Sequence, residues 1–109
     1  MLVVDKENYE KEVVEETSVP VIVDVWGPKC TNCLALMPTM ETLEEKYKDK
    51  VKFTKLNAAE NRRLCMKLRL MSLPSFMLYK NGEEVDRFSG EMTEQELTEK
   101  VENFVEQYS

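Results

Sequence analysis

The chain has 109 residues, of which 42% are hydrophobic and 33% are charged, a balance typical of soluble globular proteins. This length suits one hydrophobic core, so we expect residues 1–109 to form a single domain. The formal net charge of −6 would repel nucleic-acid phosphates and anionic lipid, so we expect neither nucleic acid nor membrane as a partner.

The first quarter of the chain predicts a short helix followed by a buried strand. After an apolar start at residues 2–4, Tyr9 and Val13 are spaced at i and i+4, which indicates a short amphipathic helix over residues 5–16. Residues 21–26 are a nearly continuous run of β-branched and aromatic residues. Such a run is typical of a strand that is covered on both faces, so we expect it to be the central strand.

A long amphipathic helix follows the break at Gly27-Pro28. Its apolar face recurs at helical spacing in four residues, Leu36, Met40, Leu43 and Tyr47. We expect Pro38 to bend this helix because proline cannot donate a backbone hydrogen bond. Residues 51–56 then alternate like a strand, and residues 61–70 predict another short helix.

The last third of the chain predicts a hairpin and a final helix. Residues 75–80 and 84–89 flank Asn81-Gly82, a strong signal for two antiparallel strands. The segment from Thr93 to Glu96 is a capping box, and an apolar helical face follows it. Together these elements predict an α/β fold with a mixed sheet and helices on both faces.

Cys30 and Cys33 lie between the end of the predicted central strand and the start of the long helix. Cysteines at this spacing can bring their sulfurs within bonding distance, so the pair can cycle between dithiol and disulfide. The helix N-terminus and the neighbouring Lys29 favour a thiolate at Cys30. Cys30 is therefore the candidate nucleophile and Cys33 the candidate resolving thiol. The chain has no histidine, which excludes Cys-His and Ser-His catalysis.

A zinc site and a pair of inert core cysteines are the alternatives for this motif. A structural zinc site usually needs four Cys or His ligands and only Cys65 remains, so we expect no metal. Cys65 stands alone in a predicted helix, where a thiol packs like a small hydrophobic group.

Three cysteines do not form the framework of a secreted scaffold, and residues 1–7 do not resemble a secretory signal. We therefore expect a cytoplasmic protein.

Asp24 interrupts the apolar central strand. If it is buried, desolvation raises its pKa, and it could then exchange protons with Cys33. The alternative is that it faces solvent at the strand end, as most carboxylates do. Lys55 in the next strand is a candidate partner. The residues alone leave open whether the Leu73-Pro74 bond is cis or trans.

Taken together, these motifs resemble the thioredoxin family over nearly the whole chain. The resemblance is carried by three stretches and Gly90: VIVDVWGPKCTNCLALMP, KLNAAEN and SLPSFMLYKNGEEV. It implies a thioredoxin fold, which is a five-stranded mixed sheet flanked by four helices. It also implies a thiol-disulfide oxidoreductase that reduces protein disulfides at Cys30 and Cys33, and we expect no cofactor. The implied partners are disulfide-containing target proteins and a thioredoxin reductase, and we expect a monomer.

The resemblance also implies roles for individual residues. Asp24 corresponds to the buried carboxylate that transfers protons, and Lys55 to its neighbour. The residues that correspond to the substrate-binding surface are Trp26, Gly27, Pro28, Lys29, Thr31, Asn32, Leu73, Pro74 and Gly90. Within this surface Pro74 corresponds to the cis-proline of the family, and Leu73 offers its backbone to the substrate.

The chain departs from the family pattern beside the cysteines. Thr31-Asn32 stands where Gly-Pro is usual, Lys29 where tryptophan is usual, and Leu34 where lysine is usual. The WGPKC start and this dipeptide are similar to those of thioredoxins from anaerobic, amino-acid-fermenting bacteria. Because Lys29 favours the thiolate, we expect a more oxidising disulfide than that of a typical member.

Three uses of the fold remain open from the sequence. One is a general disulfide reductase, and the second is the same chemistry dedicated to a single target. The third is a docking module without redox activity, against which the intact pair Cys30 and Cys33 argues.

Overall fold

Five strands form one sheet, and helices cover both of its faces. A computed structural model describes residues 1–109. The strands are β1 (Leu2–Val4), β2 (Val21–Trp26), β3 (Lys52–Asn57), β4 (Ser75–Lys80) and β5 (Glu83–Ser89). The helices are a short π-helical segment (Glu10–Val14), α1 (Thr31–Tyr47), α2 (Arg62–Lys67) and α3 (Glu94–Tyr108), with a 3-10 turn (Ala58–Glu60) before α2. The predicted five-stranded mixed sheet with four helices is confirmed.

The strand order in the sheet is β1-β3-β2-β4-β5, which makes β2 the central strand as predicted. Strands β1 and β2 run parallel to β3, whereas β4 is antiparallel to β2 and β5 is antiparallel to β4. Five of the six residues of β2 are buried, which accounts for its nearly continuous apolar sequence. The segments that follow β2 and β3 leave the sheet at the same edge, because these strands are parallel.

The sheet separates two hydrophobic cores. On one face, α1 and α3 cover a core that includes Ile22 and Phe76. On the other face, the π-helical segment and α2 pack against a core that includes Val21 and Val23. Neighbouring side chains of β2 therefore point to opposite faces, as strand geometry requires.

Two helices are shorter than their sequence patterns predict. Between Asp5 and Asn8, the Asp5 N–H donates to Asn8 Oδ1 at 2.7 Å and the Asn8 N–H donates to Asp5 Oδ1 at 3.0 Å. These reciprocal bonds cap the start of the helical region, in which the Tyr9 N–H donates to the Asp5 carbonyl oxygen at 2.9 Å. The bonds then change to π spacing, with the Glu15 N–H on the Glu10 carbonyl oxygen at 2.8 Å, and the helix ends before residue 16. Helix α2 also ends before the predicted boundary, and Arg69 beyond it has the left-handed φ of +58° that is common after helix ends.

The hairpin and the last helix form as predicted. Asn81 and Gly82 have φ angles of +53° and +78°, as expected of a two-residue turn between twisted antiparallel strands. A Cβ atom on Gly82 would collide with the backbone carbonyl of Val14. In the capping box, the Glu96 N–H donates to Thr93 Oγ1 at 3.1 Å, and the Thr93 N–H donates to Glu96 Oε1 at 2.9 Å. None of the helices is long and apolar enough to span a membrane.

Candidate active site

The two cysteines lie at the turn that joins β2 to α1. The Cys30 N–H donates to the Gly27 carbonyl oxygen at 3.1 Å, and this bond closes the turn before the helix. Cys30 is the N-cap residue of α1 and is joined to Cys33 by a disulfide, with 5.2 Å between their Cα atoms. Cys33 is only 2% exposed, whereas Cys30 is partly exposed. An incoming protein can therefore reach the sulfur of Cys30 but not that of Cys33.

The start of α1 favours negative charge on the sulfur of Cys30. The Cys33 N–H donates to Cys30 Sγ at 3.1 Å, so the side chain of Cys30 caps one of the free amides of the helix. The helix dipole also places partial positive charge at this end. When the disulfide opens, both effects stabilise Cys30 as a thiolate, the form that attacks a disulfide.

Asp24 is buried in the central strand, so the solvent-facing alternative is wrong. The residue is 2% exposed and no group of the protein donates a hydrogen bond to its carboxyl oxygens. Burial raises the pKa of this carboxyl from its ordinary value of 3.8 to about 7, an effect that the positive charge of Lys55 partly opposes. Lys55 is directly opposite Asp24 in the pairing of β2 with β3, but no salt bridge joins them. A carboxyl with this pKa can take up or release a proton at neutral pH.

The side chain of Asp24 lies on the same face of the sheet as that of Ile22, since the two are separated by one residue in β2. That face is covered by α1, the helix that carries Cys33. The fold therefore brings the buried carboxyl and the buried cysteine to one interface, between β2 and α1.

An open groove of about 450 Å³ runs beside Cys30. Its lining consists of Cys30 together with Gly27, Pro28, Lys29, Ala58, Ala59, Arg62 and Leu73. A Cβ atom on Gly27 would stand 3.0 Å from Leu73 Cδ1, so the glycine lets the two segments approach closely. The bond between Leu73 and Pro74 is cis.

Sequence reasoning did not assign Ala58, Ala59 and Arg62 to this groove. They follow β3, whose end lies at the same edge of the sheet as the end of β2. Side chains from loops at the carboxyl ends of parallel strands commonly share a site, and this rule was the signal that could have found them.

The remaining residues of the predicted surface lie outside the lining of the groove. Gly90 has a φ of +94°, and its N–H donates to the carbonyl oxygen of Pro74 at 3.0 Å. Asn32 is bound to Met92, two residues after Gly90 in the same loop. Its Nδ2 donates to the Met92 carbonyl and its Oδ1 accepts from the Met92 N–H, both at 3.0 Å. Thr31 is exposed, and Trp26 is partly buried at the end of β2. The loop at residues 90–92 is thus attached both to Pro74 and to the start of α1.

Cys65 takes no part in this arrangement. It is a free thiol, 9% exposed, in the core between α2 and the sheet. Burial raises the pKa of this thiol, which keeps it protonated and unreactive. This agrees with the expected packed cysteine.

Comparison with known proteins extends the likeness beyond the cysteine pair. The sequence model of the family described as Thioredoxin matches residues 1–103, which include all five strands. The chain is 38% identical to the thioredoxin of Acetoanaerobium sticklandii over 109 residues, 99% of each chain. It is 40% identical to the thioredoxin of Peptoclostridium acidaminophilum over 83 residues, 76% of this chain and 74% of the relative. It is 34% identical to the M-type chloroplastic thioredoxin of Chlamydomonas reinhardtii over 95 residues, 87% of this chain and 68% of the relative.

Proposed function

The chain belongs to the thioredoxin family, and we propose that it reduces disulfides of other proteins through attack by Cys30 and resolution by Cys33. Dithiol-disulfide exchange is the chemistry of this oxidoreductase. The observation that carries the proposed order of events is the exposure of the two sulfurs. Cys30 is accessible at the helix start, whereas Cys33 is buried behind it.

The proposed reaction has two exchange steps. In the first, the Cys30 thiolate attacks one sulfur of the substrate disulfide, and the other substrate sulfur leaves as a thiolate that takes up a proton. In the second, Cys33 loses its proton and attacks Cys30 Sγ, which releases the second substrate sulfur as a thiol. The substrate gains two electrons and two protons, and the protein ends with the Cys30–Cys33 disulfide.

We assign the proton of Cys33 to Asp24. The raised pKa of about 7 leaves this carboxyl partly unprotonated at neutral pH, so it can accept the proton and later return it. The position of both residues at the interface of β2 with α1 supports this role. Lys55 acts through its charge, which prevents the pKa of Asp24 from rising further.

We propose that the substrate lies in the groove beside Cys30. Gly27, Pro28 and Lys29 form one side of it and Leu73 another, and the backbone of Leu73 receives the substrate chain. Pro74, Gly90 and the exposed Thr31 belong to the surrounding surface. Trp26 and Asn32 support that surface from β2 and from the start of α1.

A protein that ends each cycle as a disulfide requires a source of electrons. The family implies disulfide-containing targets and a thioredoxin reductase as partners in general. We propose that this chain works as a monomer of one domain in the cytoplasm, without nucleic acid or membrane as a partner. Its cysteine usage supports that compartment, since the only disulfide is the redox pair and Cys65 stays free.

Trapping of the mixed disulfide tests the proposed order. In Cys33→Ser, the substrate should stay bound to Cys30 through a disulfide that only an added reductant releases. Cys30→Ser should trap nothing, and both variants should carry Cys65→Ser to exclude a background from that thiol. If Cys33→Ser captures no protein and the unmodified chain does not reduce insulin disulfides, the proposed function is wrong. Capture of one target rather than many would identify a dedicated reductase.

A further inference from the structure

Two segments that contain no carboxylate lie beside the cysteine pair, whereas the loop at residues 90–92, which is attached to the start of α1, carries one carboxylate, Glu91. No acidic residue occurs between Asp24 and Glu41, and none occurs between Glu60 and Glu83. Acidic residues outnumber basic ones by 21 to 15 in the whole chain, so such stretches stand out. Apart from Lys80 in β4, the basic residues of these two segments are Lys29, Arg62, Arg63, Lys67 and Arg69.

The fold brings the two segments together at the groove beside Cys30. Lys29 from the turn after β2 and Arg62 from the start of α2 both line it. Both side chains are exposed and neither forms a salt bridge. The rest of the lining consists of Cys30 and uncharged residues. The lining of the groove therefore presents two unpaired positive charges beside the reactive sulfur, and the exposed carboxylates nearest to it in sequence, Glu60 and Glu91, lie outside that lining.

Unpaired cations at a binding groove attract carboxylates and repel other cations. The interaction acts within about 10 Å at ordinary ionic strength, a range that covers residues next to the substrate cysteine. Arg62 adds geometric selectivity, because a guanidinium can bind a carboxylate through two parallel hydrogen bonds. The rest of the molecular surface is acidic on balance, so it repels an acidic substrate protein that approaches anywhere other than the groove.

From this charge pattern we infer that the groove selects protein disulfides whose cysteines are flanked by acidic residues. The inference rests on the proposed function, because it assigns a substrate class to the same site. Lys29 and Arg62 are the residues that discriminate between substrates, and the chemistry remains that of Cys30 and Cys33.

Three disulfide peptides of one sequence test the inference, with Glu, Gln or Lys at the positions flanking the cysteine. At low ionic strength, kcat/KM should fall in the order Glu, Gln, Lys, with about a tenfold difference between the extremes. In about 0.5 M salt this difference should shrink severalfold, because screening weakens the attraction. Equal values for the three peptides would overturn the inference. If even the Gln peptide is not reduced, it is the proposed function that fails.

Matched variants locate the preference in the groove. Arg62→Glu should reduce the Glu-to-Lys preference to near unity or invert it, whereas Arg62→Lys should retain most of it. Lys50→Glu changes the net charge equally, but Lys50 precedes β3 and so lies at the opposite edge of the sheet from Arg62. This control should keep the preference. A preference that survives Arg62→Glu unchanged in a folded protein, or that Lys50→Glu removes equally, would contradict the assignment to the groove.

Discussion

The buried carboxyl of Asp24 makes a strong prediction about stability and pH. Its pKa is about 7 in the folded protein against an ordinary value of 3.8, so the folded state binds this proton more tightly than the unfolded state does. The protonated form therefore stabilises the fold, and stability is lost as the pH rises from about 4 to about 7. At about 1.4 kcal/mol for each tenfold change in proton affinity, the loss approaches about 4 kcal/mol above pH 7. Asp24→Asn, which carries no charge, should avoid most of this loss.

Urea unfolding of the oxidised protein at several pH values measures the effect. Asp24→Asn and the unmodified chain should have similar free energies of unfolding near pH 4, and the variant should be more stable by up to about 4 kcal/mol at pH 8. Asp49→Asn removes an exposed carboxylate and serves as the matched charge control. A stability difference for Asp24→Asn that does not change with pH, or a variant that is less stable at pH 8, would refute the reasoning.

Two further substitutions test contacts around the site and in the hairpin. Asn32→Ala removes both hydrogen bonds to the backbone of Met92 and should lower the free energy of unfolding by about 1–3 kcal/mol, whereas Thr31→Ala at the exposed neighbour should change it by less than about 0.5 kcal/mol. Equal effects in urea titration would contradict a structural role for the Asn32 bonds. Gly82→Ala should destabilise by more than the roughly 1–2 kcal/mol expected of Gly90→Ala, because both positions are left-handed but only at Gly82 would the new Cβ collide with backbone. The midpoints of thermal unfolding of the two variants give that comparison.

Much of the fold could be predicted from residues that are close together in the sequence. The turn at Asn81-Gly82 and the capping box at Thr93 depend on residues close in sequence, and both occur as predicted. The helix predicted over residues 5–16 forms only in part: Asp5 and Asn8 cap its start through each other's backbone amides, and its bonds then change to π spacing between Glu10 and Glu15. The spacing of the hydrophobic residues did not predict that change in the backbone bonds.

In the candidate site too, the features that depend on neighbouring residues could be predicted, and those that depend on distant residues could not. Cys30 and Cys33 belong to one local motif, so their pairing could be predicted from the strand, turn and helix around them. The burial of Asp24 could not be decided locally, because it depends on the cover that α1 places over β2. The bonds of Asn32 to Met92 span 60 residues of sequence, and no pattern within either segment reports them.

The charge of the groove shows why a whole-chain average does not describe a site. A net charge of −6 describes how the molecule behaves at long range, and it argues against partners such as nucleic acid. Within a Debye length of about 10 Å, however, a substrate meets only the charges that the fold has placed there. Lys29 and Arg62 are far apart in sequence but line the same groove, because β2 and β3 are parallel and end at one edge of the sheet. The net charge that acts at long range and the charge of the groove therefore have opposite signs in this protein. Substrate choice follows the charge of the groove.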